Sequence, residues 1–173
     1  MACHKCDLTL SSNMGLRLQN QGSGSCFFVT TTFREWRRFG DVPEFYARLA
    51  SSFAFCLEKY EAVCIAYAFM PSHIHAILIL KGDCLAPLTR DFKKFVAQKV
   101  AVDLRLGTTS IWMPRYDRVA IYSEEVLRTK LQYVHNNPVK AGLVSQPEDW
   151  MWSSAADYMC DRPGPVPIWK DWG

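Results

Sequence analysis

The chain has 173 residues, is 49% hydrophobic and 13% aromatic, and carries a formal net charge of +3. That is enough apolar chain for one domain with a sizeable core, while no apolar run approaches the length of a membrane span. The weak positive charge permits an anionic partner without demanding one.

Residues 1–24 read as an N-terminal tail, ending in Gln21-Gly22-Ser23-Gly24-Ser25. Cys3-His4-Lys5-Cys6 looks like half of a zinc knuckle, but the other five of the seven cysteines are isolated, so the pair is read as two exposed thiols of the tail. No apolar segment of the kind that directs secretion lies in Met1–Leu10, so free thiols in a reducing cytoplasm are expected. Cys26–Phe33 is aromatic and β-branched and predicts a strand. Asp41 and Pro43 open a helix whose buried stripe is Phe45, Leu49, Phe53 and Leu57. Ala62–Phe69 predicts a second strand, Met70-Pro71-Ser72 a turn, and His73–Leu80 an antiparallel return.

Leu88–Arg105 predicts a helix with Phe92, Phe95, Val96 and Val100 on its apolar side. A loop follows, with a short strand near Ile111-Trp112 and an edge element over Arg118–Tyr122. Ser123 caps the next helix and places Glu124 and Glu125 in its first turn, where the helix dipole favours anions. Pro138 disfavours a helical residue before it, so this helix is expected to stop near Asn136, with a turn at Gly142. Residues 161–173 form a tail rich in Pro and Trp, which could stack on bases but is expected to pack over the domain. The element order predicts an α+β fold: a ferredoxin-like antiparallel sheet with helices packed on one face and the other free to carry a site.

The strand 73–80 opens with His73-Ile74-His75. Side chains alternate along a strand, so His73 and His75 share one face and Ile74 points to the core. Such a pair is either a two-point metal site or two histidines lining a polar sheet face. On the following helix, Lys130, Tyr133 and Asn137 fall three and four residues apart and so share a side. A surface tyrosine with an ordinary capping asparagine would look the same.

Four segments together resemble the Y1 family of single-tyrosine HUH transposases, and within it the REP-associated tyrosine transposases. They are Phe28-Val29-Thr30, Met70-Pro71-Ser72-His73-Ile74-His75, the run Tyr133-Val134-His135-Asn136-Asn137-Pro138 continuing to Val144, and Pro147–Ala155. The match runs in order over roughly residues 26–160, with Ser72 where Asn is common. It implies a catalytic domain over 25–160, a divalent cation (Mg²⁺ or Mn²⁺) held by His73, His75 and Asn137, and Tyr133 as nucleophile. The implied reaction is cleavage and rejoining of single-stranded DNA next to a palindromic hairpin through a 5′-phosphotyrosine, by a monomer or homodimer in the bacterial cytoplasm, associated with the nucleoid. Lys130, Arg90, Lys93, Lys94, Lys99 and Arg34 are the candidate DNA contacts, although each cluster could equally be a solvated face. Two other readings stand beside strand transfer: a hairpin-binding module with little turnover, and a metal phosphohydrolase that uses water.

Overall fold

The computed structural model describes residues 25–39, 43–103 and 111–172. The N-terminal tail with Cys3 and Cys6, Asp41, and the loop after residue 103 lie outside the described residues.

Four strands, β1 (Ser25–Thr32), β2 (Val63–Phe69), β3 (His73–Leu80) and β4 (Asp117–Ile121), form one sheet in the order β2-β3-β1-β4. All pairings are antiparallel. With α1 (Pro43–Lys59) between β1 and β2, and α2 (Leu85–Asp103) between β3 and β4, this is the ferredoxin-like β-α-β-β-α-β arrangement. Strands β1, β2 and β3 are dense in β-branched, aromatic or aliphatic residues, which suit a pleated surface buried on both sides, whereas the edge strand β4 is largely exposed.

Alternation along the strands feeds two cores. Val29, Ile74, Ala76, Leu78 and Leu80 meet Phe45, Leu49 and Phe53 of α1 and Leu88, Phe92 and Val96 of α2. Cys26, Phe28, Ile65 and Ile77 face the other way, toward Leu127 and Val134 of α3 (Glu124–Lys140). The expected helices on one face are therefore α1 and α2, while α3 covers part of the opposite face. Its stripe Leu127, Leu131, Val134, Pro138 is apolar and needs a surface to bury against.

The helix α3 does not stop at Asn136 as expected from Pro138. It runs through the proline to Lys140. Pro138 is buried, so packing outweighs the lost backbone donor. The end is set by Gly142 at φ +68°: Gly142 N–H donates to Val139 O (2.9 Å) and Leu143 N–H to Pro138 O (3.0 Å). That paired bonding satisfies the last carbonyls of the helix, and glycine adopts the left-handed conformation without a Cβ penalty.

The outer edge of β2 is sealed by the chain after α3. Phe69 N–H donates to Trp152 O, Tyr67 N–H to Ser154 Oγ and Trp169 N–H to Cys64 O, at 2.8–3.0 Å. Tyr158 donates its hydroxyl to Ile65 O at 2.9 Å. Val166 and Trp172 are buried, so residues 161–172 are packed structure and not a loose tail. Among the described residues no helix is long and apolar enough to cross a membrane.

Candidate active site

The register of β1 against β3 sets Thr30 opposite His75 and Thr32 opposite His73. Thr30 Oγ1 lies 2.9 Å from His75 Nδ1, a direct consequence of that pairing. His73 takes a different partner, Ser72 Oγ, 3.1 Å from its Nδ1. Both rings are thus held at Nδ1 by a hydroxyl. His75 Nε2 is buried and has no hydrogen-bond partner. The rings lie 4.7 Å apart between centroids.

Burial keeps both imidazoles neutral at pH 7. His75 is pushed down to about 3, first by desolvation and then by repulsion from a protonated His73 and from the Lys130 ammonium; His73 is lowered by desolvation. A neutral ring fixed at Nδ1, with Nε2 unpartnered as in His75, is the form in which histidine ligates a cation. No cluster of three or more His, Cys, Asp or Glu occurs among the described residues.

The helix α3 brings Tyr133 to this face. The phenol ring stands edge-on to His75 with centroids 5.2 Å apart, and edge-on to Phe28 at 5.7 Å. Phe28 in turn stacks on His75 at 5.3 Å. The three rings make a triangle that fixes the tyrosine against the histidine pair. Tyr133 nonetheless keeps 40% of its surface exposed, so its hydroxyl end can meet a ligand. Lys130, Tyr133, Asn137 and Lys140 form one line along the helix. The Lys130 ammonium sits 5.7 Å from the Tyr133 ring centre and Lys140 5.6 Å, with Lys130 also 4.8 Å over Phe28. Cations at this range are attracted to the ring face. Asn137 donates its side-chain N–H to Tyr133 O at 3.1 Å and makes no hydrogen bond to either imidazole, which leaves its Oδ1 as the atom that could face a cation.

The remaining basic residues are spread more widely. Arg90, Lys93, Lys94 and Lys99 lie on α2, which packs on the sheet face away from the histidines. Arg90, Lys94 and Lys99 are exposed. Lys93 is engaged within the fold: it donates to Met113 O (2.9 Å) and Arg115 O (3.1 Å), lies 5.9 Å from the Trp112 ring centre and 5.8 Å from that of Tyr116, and burial lowers its ammonium to about 8. Arg34 is exposed at the end of β1, 3.8 Å from the Glu35 carboxylate.

The REP-associated tyrosine transposase of Escherichia coli K12 is 32% identical over 91 residues, which are 51% of this chain and 52% of that protein. A putative REP-associated tyrosine transposase of Haemophilus influenzae is 24% identical over 76% of this chain and 80% of its own length. A solved structure of a REP-associated tyrosine transposase bound to a REP hairpin superposes with a TM-score of 0.69 at 25% identity, covering 85% of this chain and 87% of that one. In sequence and in fold the chain is similar to REP-associated tyrosine transposases. The chain spans about half the length of the Escherichia coli protein it matches. No protein-family model matches the chain.

Within this fold, four further residues flank the tyrosine and histidines: Phe28, Thr30, Trp36 and Lys140. Thr30 was discoverable from sequence, because antiparallel pairing of two adjacent strands puts a threonine opposite His75. Lys140 was hidden by ending the helix early. Trp36 gave no signal, since its place depends on backbone angles. It stands 62% exposed with its ring 6.0 Å from His73, and both it (φ +55°) and Glu35 (φ +57°) are in the left-handed region. For residues with a Cβ that conformation costs roughly 1–2 kcal/mol each.

Proposed function

We propose that the chain cleaves and rejoins single-stranded DNA next to a hairpin, with Tyr133 as the nucleophile. The Tyr133 phenol gives up its proton as its oxygen attacks the scissile phosphorus, the bond from phosphorus to O3′ breaks, and the departing oxygen takes up a proton to become a 3′-OH. The 5′-phosphate stays esterified to the tyrosine, so a 3′-OH of another strand end can reverse the step and restore the tyrosine. The observation that carries this reading is the edge-on approach of Tyr133 to His75, 5.2 Å between centroids, within one chain. Hairpin DNA as the substrate is supported by the relative bound to a REP hairpin.

The unpartnered Nε2 of His75 and the hydroxyl-held Nδ1 atoms fit a divalent cation, Mg²⁺ or Mn²⁺ by phosphate chemistry, on His73 and His75 with Asn137 as third ligand. Bound there, it would polarise a non-bridging oxygen of the phosphate. The protein supplies the rest. Phe28 and His75 hold the phenol ring at a fixed angle, which spares the attack much of its orientational cost. Lys130 and Lys140 bracket the ring and offset negative charge at the reacting oxygens. Arg34, Arg90, Lys94 and Lys99 are left as candidate backbone contacts, while Lys93 serves the fold.

The test is a labelled hairpin oligonucleotide with a single-stranded flank, incubated with Mn²⁺ and run on a denaturing gel. A protein–DNA adduct that disappears in Tyr133→Phe and in EDTA is expected. A mobility shift on a native gel without any cleavage would make the chain a binding module. Cleavage that survives Tyr133→Phe would assign the chemistry to water.

A further inference from the structure

A cleft of about 440 Å³ opens beside His73, lined by Thr30, Thr32, Trp36, Arg115, Tyr116 and Asp117 among others. One wall is the exposed face of Trp36, whose ring meets His73 edge-on. The opposite wall is the segment Met113–Asp117, which is pinned from behind: Lys93 donates to Met113 O and Arg115 O, and Met113 N–H donates to Thr32 O at 2.9 Å. The floor is the threonine face of β1. This is a slot between a pinned wall and a large aromatic plane, and it adjoins the imidazole pair through Trp36, whose ring meets His73, and through Thr30 and Thr32, which stand opposite the two histidines.

Trp36 itself is held against its own preference. It and Glu35 are consecutive non-glycine residues at positive φ, and a bulky residue there is an outlier. Its side chain gains little burial in return. Backbone strain retained at an exposed aromatic next to a site points to a role for the ring. An exposed indole plane facing a polar slot matches the way single-stranded nucleic acid is gripped, with bases stacked on aromatic side chains.

We infer that the Trp36 cleft takes one unstacked nucleobase of the DNA strand, the one adjoining the phosphate held at His73 and Tyr133, with Trp36 as its stacking platform. The inference rests on the strand-transfer reading above. Trp36 is a positioning residue: by fixing the neighbouring base it sets where the phosphate lies relative to the tyrosine. Arg115 and Asp117 place a donor fork and an acceptor on the far wall, where a base edge would meet them.

The test needs no knowledge of the natural sequence. A fluorescently labelled dT8 and an abasic eight-mer of the same backbone are titrated into metal-free protein at low salt. Wild-type protein should bind dT8 about tenfold more tightly than the abasic strand, the scale of a single stacked base. Trp36→Ala should lose most of that preference while binding the abasic strand as wild type does, and Trp36→Phe should keep most of it. Trp36→Gly should lose the preference and raise the melting temperature, because the left-handed strain is relieved; a merely structural tryptophan would lower it. Retention of the preference in Trp36→Ala, or its absence in wild type, would overturn the inference. Adduct formation is scored separately with Tyr133→Phe. Loss of base preference together with slower adduct formation, even at saturating DNA, is the expected Trp36→Ala pattern, because the phosphate is no longer positioned. A wild type that shows the preference but forms no adduct refutes strand transfer alone.

Discussion

Thr30→Val probes the most local link between sheet register and chemistry. Valine is close to threonine in shape and keeps the β-branch, so β1 should pair as before. What is lost is the 2.9 Å contact from Oγ1 to His75 Nδ1. A hydrogen bond of this kind is worth about 1 kcal/mol net, and a part-buried ring nitrogen left without a partner adds to the loss. The expected destabilisation is therefore about 1–2 kcal/mol, a fall of roughly 2–8 °C in melting temperature at about 2–4 °C per kcal/mol for a chain of this size. The ring would also be free to swing or change tautomer. Loss of a partner on a ligating histidine typically weakens metal binding 10–100-fold, and one bond of about 1.4 kcal/mol corresponds to tenfold, so about tenfold is expected. Mn²⁺ titration followed by electron paramagnetic resonance on the folded variant reads this directly. Thr32→Val is the matched control: Thr32 stands opposite His73 in the same register, but His73 is bonded to Ser72 instead. Equal Mn²⁺ affinity in Thr30→Val and wild type, or an equal loss in Thr32→Val, would refute the reasoning.

Three other outcomes are expected. Gly142→Ala should destabilise by about 1 kcal/mol through its φ of +68° alone, since an added Cβ meets nothing within 4 Å; thermal melts of the variant check it. Asp91 ties α1 to α2: hydrogen bonds from the Lys59 ammonium and from the Tyr60 hydroxyl (2.6 Å) hold its carboxyl down to about 2. A folded value below the free one of 3.8 means that the contribution is complete above about pH 4 and fades as pH falls toward 2, so Asp91→Asn should be the less stable protein at pH 7 and converge with wild type in acid melts. On DNA, Lys94→Met should reduce the slope of log affinity against log salt by about 1, whereas Lys93→Met should leave that slope unchanged, because the Lys93 ammonium is already committed to two carbonyls.

Strands were the most legible part of the fold. His73–Leu80 emerges with the bounds its composition predicts, because an apolar β-rich run between a Pro-Ser turn and Lys-Gly-Asp has few other solutions. The alternation that put His73 and His75 on one face is equally local. Pro138 misled because its cost to a helix is a local rule, and the burial that overrides it is tertiary. The side of the sheet that α3 covers was illegible for the same reason. The grouping of Lys130, Tyr133 and Asn137 followed from helical spacing, but their approach to His75 depended on where α3 docks. Lys93 reads in sequence as one more surface cation of α2; only the return of residues 113–116 against it reveals its task.

Because α3 folds back onto its own sheet, each polypeptide carries a full complement of histidines and tyrosine. Under the proposed strand transfer, adduct formation should then scale linearly with protein concentration. Mixing His73→Ala with Tyr133→Phe should give no complementation, and an excess of either inactive variant should not poison wild-type copies except by competing for DNA.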